Sequence, residues 1–144
     1  MSQPAAKRQK QHPQYELLYH PGIPGRGEFL RLALEAAGVA YTDTANETKD
    51  GYSIVKKICM STADESSDGN PPVFSPPALR VAGAGKDGKA LVISQTPNIL
   101  FYLGEKIGMV PDGDEGGKFH VQQLALTALD LNNEVHDTHH PIGR

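Results

Sequence analysis

The stretch YELLYHPGIPGRGEFLRLALEAAGVAY, residues 15–41, decides the fold. Tyr15-Glu-Leu-Leu-Tyr-His20 is short, flanked by aromatics and stopped by Pro21-Gly22, the pattern of a buried strand. Pro21 to Gly27 is a Gly/Pro-rich loop. From Glu28 to Ala37 the apolar residues Phe29, Leu30, Ala33, Leu34 and Ala37 fall on one stripe of a helix. Gly38 suits the position just past a helix end, and Val39-Ala-Tyr41 predicts a second, short strand. Strand, loop, helix, strand is a βαβ unit with a parallel pair.

Outward from this unit, the C-terminal side continues the same sheet. A short helix is expected near Ser53–Met60. The stretch from Ser61 to Pro72 is rich in Ser, Asp, Gly and Pro and reads as a long surface loop. Ala78-Leu-Arg-Val81 and Ala90-Leu-Val-Ile93 predict two strands of a hairpin across the Gly83–Lys89 turn. Thr96-Pro97 opens a clear helix, with Thr96 expected as N-cap, Pro97 at the first helical position and Gly108 as the stop. Its stripe is Ile99, Leu100, Leu103 and Ile107. Residues 111–117 are expected as a linker. A last helix is expected from about Lys118 to His136, with Val121, Leu124, Ala125, Ala128, Leu129 and Val135 on its apolar face. Residues 1–14 show no hydrophobic period and read as a disordered tail. Its Lys7, Arg8 and Lys10 form a small basic cluster, which a solvated tail explains as well as nuclear import does. The expected fold is α/β, thioredoxin-like, a βαβ followed by ββα around one mixed four-stranded sheet.

Composition limits the function. The chain has 144 residues, 38% hydrophobic and 22% charged, with a formal net charge of −3. That balance provides no global basic field for nucleic acid. No apolar run reaches the ~20 residues of a membrane span, and the N-terminus lacks the apolar core of a secretory signal. The single cysteine, Cys59, rules out an intramolecular disulfide framework and a CxxC redox pair. It points to a reducing, cytoplasmic setting.

Several tempting motifs carry less than they promise. Gly83-Ala-Gly85-Lys-Asp-Gly88 matches a dinucleotide fingerprint, and with Lys89 a phosphate loop. Both need a following helix, and here a strand is expected, with Ala90 where a magnesium-binding hydroxyl belongs. His136 and His140 share the helical spacing of a metal pair, but a polar helix end explains them better and no metal is expected. Cys59 sits between Ile58 and Met60 and reads as a small buried hydrophobe rather than a nucleophile.

The stronger constellation is Tyr19 at the end of the first strand, Arg26 at the start of the first helix, Pro77-Ala78 before the hairpin, and Gln95-Thr96 at the start of the second long helix. A thioredoxin-like fold brings these to one sheet edge, where strand ends meet helix N-termini and an anionic ligand is favoured. In Tyr15-Glu-Leu-Leu-Tyr19, Gly25-Arg-Gly-Glu28, Pro77-Ala-Leu-Arg-Val81 and Gln95-Thr-Pro-Asn-Ile-Leu-Phe-Tyr-Leu103, taken in order, the sequence resembles the glutathione transferase family, nearest its Tyr-type classes such as sigma and their fungal relatives.

The resemblance implies a glutathione-binding domain over residues 15–110 and the start of an all-helical second domain over 118–144, most of which would be missing from a truncated chain. It implies that the Tyr19 hydroxyl hydrogen-bonds the glutathione sulfur and that Arg26 is the arginine near the first helix. Pro77 would be a cis-proline, with the Ala78 backbone pairing the cysteinyl part. Gln95 and Thr96 would hold the γ-glutamyl group, and more loosely Tyr52 and Lys56 the glycyl carboxylate. It implies glutathione as co-substrate without a cofactor, a small electrophile as second substrate, and a homodimer. The chemistry is coherent: a thiol of pKa about 8.5 is mostly protonated at neutral pH, so a phenol, an arginine and a helix N-terminus that stabilise the thiolate activate the nucleophile. Departures are the slightly longer loop between Tyr19 and Arg26, the long 61–75 loop, and Tyr52 in place of a tryptophan. The alternative is a non-catalytic binding or structural relative that uses the apolar face of its last helix. A thiol–disulfide oxidoreductase is disfavoured because no cysteine lies in Tyr19–Glu28.

Overall fold

In a computed structural model, residues 14–61 and 69–139 are described. The tail (apart from Gln14), its basic cluster, most of the Ser/Asp-rich loop and His140 lie outside the described residues. The elements run β1 (Tyr15–Leu18), a 3-10 turn (Gly25–Gly27), α1 (Glu28–Ala36), β2 (Tyr41–Asp43), α2 (Thr44–Glu47), α3 (Gly51–Cys59), β3 (Ala78–Val81), a second 3-10 turn (Lys86–Gly88), β4 (Leu91–Ser94), α4 (Thr96–Lys106) and α5 (Glu115–His139). The sheet order is β2-β1-β3-β4. β1 pairs parallel with β2 and antiparallel with β3, and β3 pairs antiparallel with β4. This is the expected mixed four-stranded thioredoxin-like sheet.

Alternation along the two central strands splits the core into two layers. Tyr15, Leu17, Leu79 and Val81 pack with Leu30 and Leu34 of α1 and Ile99 and Leu103 of α4. Leu18 and Ala78 pack on the other face with Val55 and Cys59 of α3. Burial pushes the Cys59 thiol up to about 11, so it is a buried hydrophobe and not a nucleophile. On that same face Glu16 and Arg80, directly opposite in register, form an ion pair.

Three boundaries differ from the sequence reading. Strand β1 stops at Leu18, so Tyr19 begins the loop, yet it stays buried against the core. Strand β2 begins at Tyr41 rather than Val39 because α1 claims the intervening amides. Gly38, at φ +64°, donates to the Glu35 carbonyl, and Val39 donates to that of Leu34, a Schellman closure. The first helical turn after the parallel pair, α2, was not expected. Its Thr44 carbonyl lies against Gly51 at the start of α3, where a Cβ would fall 1.8 Å from that oxygen.

At the free edge of β4, Asn70 imitates a strand. Its side-chain amide donates to the Ala90 carbonyl at 2.9 Å and accepts from the Val92 amide at 2.9 Å. The substitution Asn70→Ala is expected to lower stability by about 1–2 kcal/mol, since two hydrogen bonds at ~1 kcal/mol each are lost. It also exposes the edge to a second chain. Urea midpoints and light scattering read the two effects.

Helix α5 is tied to the rest by polar contacts toward its two ends, Lys118 with Glu105 and Asn133 with Arg26. Phe119, Leu124, Leu126, Leu131 and Val135 on it are exposed. It starts at Glu115, inside the segment read as a linker. No helix among the described residues is long and apolar enough to cross a membrane.

Candidate functional site

The loop after β1 is built around Tyr19. Its ring lies on the backbone of Gly25 and Gly27, where added Cβ atoms would fall 2.3 Å from the phenol oxygen and 2.6 Å from Cδ1. The phenol oxygen accepts a hydrogen bond from the Arg26 amide at 3.0 Å. The Arg31 guanidinium lies over the ring at 5.9 Å, and the His20 ring meets it edge-on at 5.2 Å. Arg31 also donates to the Pro24 and Ile23 carbonyls, to Glu28 and to Asp43. It therefore pins the loop to α1 and to the end of β2.

Beside this loop opens a cleft of about 280 Å³. Four of the expected site residues converge on it: Arg26, Pro77, Gln95 and Thr96. Ser75, Pro76 and His20 complete the lining and were not singled out in the sequence. The Pro76–Pro77 peptide bond is cis. Tyr19 itself is not in the lining. Ala78 is fully buried as the first residue of β3, between Leu18 and Ser94.

Gln95 joins β4 to α4 with φ +71° and ψ 118°, outside the left-handed region that short polar residues tolerate. Such a conformation costs of order 1–3 kcal/mol and persists where the surroundings impose it. Here it turns the chain sharply, so that α4 begins pointing at the cleft. The turn also corrects the expected cap. Gln95, not Thr96, is the N-cap, with no side-chain capping bond. Thr96 is already helical, 4% exposed, and its hydroxyl points to the Arg26 carbonyl at 3.5 Å. The substitution Gln95→Gly is expected to raise stability by about 1 kcal/mol, strain relief being offset in part by the entropy of glycine. A thermal melt checks it, and the same variant should hold an anionic ligand less well.

Tyr52 and Lys56 reach the cleft at second hand. The Tyr52 hydroxyl is 3.1 Å from Nδ1 of His20, and Lys56 Nζ lies over the Tyr52 ring at 5.3 Å. On the other side, Arg26 Nη2 donates to Asn133 Oδ1 of α5 at 2.9 Å. A second cleft of about 150 Å³ there shares Arg26, Gln95 and Thr96 with the first and adds Asp130 and Asn132. Asn133 carries no local signal, because it meets Arg26 only through the packing of α5. His20 had one, as a titratable ring directly after Tyr19 at a strand end.

The first cleft has a cation, a helix start and amide donors, and no acidic side chain among the described residues that line it. That chemistry suits a carboxylate. The glycine-rich stretch 83–88 leads into β4 and not into a helix, so it lacks the geometry of a phosphate loop. Among the described residues, no group of three or more His, Cys, Asp or Glu side chains gathers at metal-binding range.

The architecture is that of a thioredoxin-like domain followed by a helix, and solved structures that share it include glutathione S-transferases. Prostaglandin synthase D of Nilaparvata lugens matches at 23% identity with a TM-score of 0.58, over 91% of this chain and 55% of its own. A nematode-specific transferase of C. elegans matches at 23% and 0.58, over 92% and 56%. A sigma-class transferase of Fasciola hepatica matches at 25% and 0.57, over 86% and 51%. The chain spans about half the length of these structures. No protein-family model matches the chain, and no curated protein does.

Proposed function

We propose that the chain is a glutathione transferase that supplies chiefly the glutathione half of the site. The observation that carries this reading is the convergence of Arg26, Pro77, the strained Gln95 and Thr96 on one cleft with no acidic side chain among its described lining residues. In this reading the γ-glutamyl carboxylate sits at Gln95, Thr96 and the start of α4, with Arg26 beside it. The Ala78 backbone pairs the cysteinyl part, and Tyr52 with Lys56 lies toward the glycyl end. The Tyr19 oxygen accepts from the Arg26 amide and keeps its own O–H to donate to the sulfur. The second substrate is a small electrophile and no cofactor takes part. Residues 15–110 form the glutathione-binding domain, a short link follows, and α5 begins a helical domain. We place the protein in the cytoplasm as a homodimer, for which the 88% exposed Phe74 and the apolar side of α5 are available surface.

The test is a thermal melt with and without glutathione. Ligand at ~100 times its Kd adds about 2.7 kcal/mol, several degrees for a domain of this size. A cooperative melt that glutathione does not move counts against the reading. A second reading, a non-catalytic relative that binds without turnover, has one observation in its favour: Tyr19 turns into its own loop and does not line the cleft. The substitution Tyr19→Phe separates the two. Loss of a hydrogen bond to a charged sulfur predicts a conjugation rate about 10–100-fold lower, whereas an unchanged rate removes Tyr19 from the mechanism.

A further inference from the structure

The geometry points to His20 as the acceptor of the glutathione thiol proton, an inference that rests on the glutathione reading above. Of the side chains lining the first cleft, Arg26 keeps its charge, and Ser75, Gln95 and Thr96 do not take up protons near neutral pH. His20 is the lining group able to do so.

Its ring is held from two sides, by the edge contact with Tyr19 at 5.2 Å and by the Tyr52 hydroxyl at 3.1 Å from Nδ1. In the tautomer whose Nδ1–H donates to the Tyr52 oxygen, the lone pair that takes the proton is on Nε2. Arg26 lines the same cleft as His20, and Lys56 lies over the ring of its partner Tyr52. With no carboxylate among the described residues of the lining, the imidazolium gains its counter-ion when a thiolate forms beside it.

The step is a proton transfer. The S–H bond of glutathione breaks, its electron pair stays on sulfur, and the proton moves to Nε2 of His20. An imidazolium–thiolate pair results, with Nδ1–H still donating to Tyr52. The Tyr19 hydroxyl and His20 then have separate tasks: the phenol stabilises the thiolate, and the imidazole stores its proton. This is the nucleophile-and-base arrangement in which a third group orients the base.

The test counts protons. Glutathione is titrated calorimetrically into the intact chain near pH 8, in buffers of differing ionisation enthalpy. The ultraviolet thiolate band of bound glutathione is read in parallel. The expected result is a thiolate band with almost no proton released to buffer. In His20→Gln either the band is lost or close to one proton per bound glutathione is released. A wild-type chain that binds glutathione without a thiolate band, or with a full proton released, overturns the inference and leaves the binding reading standing. So does a His20→Gln variant with the wild-type count. A chain that binds no glutathione overturns both.

Discussion

The substitution Arg31→Leu is expected to cost about 3–5 kcal/mol, the penalty for stranding one member of a buried ion pair, and to unfold the chain at markedly lower urea. Arg31 projects from α1 with 14% of its side chain exposed, and its partner Asp43 with 7%. Nε meets Asp43 Oδ2 at 2.7 Å, and Nη1 meets Glu28 Oε2 at 2.9 Å and the Pro24 carbonyl at 3.2 Å. Burial works against the charge, but the bonds to Asp43 and Glu28 outweigh it and hold the Arg31 pKa above its ordinary value. Leucine fills similar space and leaves Asp43 with only the Asn46 amide at 2.9 Å. The double variant Arg31→Leu with Asp43→Asn should therefore lose much less than the sum of the two single losses. The loop from Ile23 to Arg26 would lose its anchor at the same time, so the stabilisation by glutathione should shrink with the midpoint. A double variant that loses the full sum of the two single losses would remove the pair from this account.

The second large effect is expected at Gly27. The substitution Gly27→Ala inserts a methyl 2.6 Å from Cδ1 and 2.7 Å from Cγ of Tyr19. These atoms lie near the root of a ring that is 7% exposed, so no far end swings clear. Overpacking of this kind costs about 1–3 kcal/mol. The backbone at Gly27 has an ordinary φ of −71°, so the loss isolates the steric term. The ring must move, which takes its oxygen away from the Arg26 amide and from any ligand sulfur. The control is Gly22→Ala. Gly22 has φ +70° and nothing within 4 Å of an added Cβ, so that variant pays backbone strain alone and leaves Tyr19 in place. Glutathione should shift the melt of Gly22→Ala and not that of Gly27→Ala; equal shifts would show that the Tyr19 position does not matter to the ligand.

Much of the fold was legible in residues 15–41 and 78–107 because local signals there agree with the global arrangement. The stripe of Leu30 and Leu34 and the glycine stops at Gly38 and Gly108 are local signals that the tertiary structure keeps. The candidate site was legible where a residue type answers to a backbone role, as at Arg26, Pro77, Gln95 and Thr96. It was not legible where two distant segments meet.

Hydrophobic period and turn chemistry act within a few residues, so the order of the four strands and the longer helices follows from the residues alone. What lines the cleft follows from packing between distant segments. That packing set Gln95 in a positive-φ turn, so Thr96 became a contact to Arg26 instead of a cap. It folded Tyr19 onto Gly25 and Gly27 under Arg31, and it brought Tyr52 of α3 to Nδ1 of His20. These contacts join segments far apart in the chain, and their geometry exists only once the sheet has closed around both layers of its core.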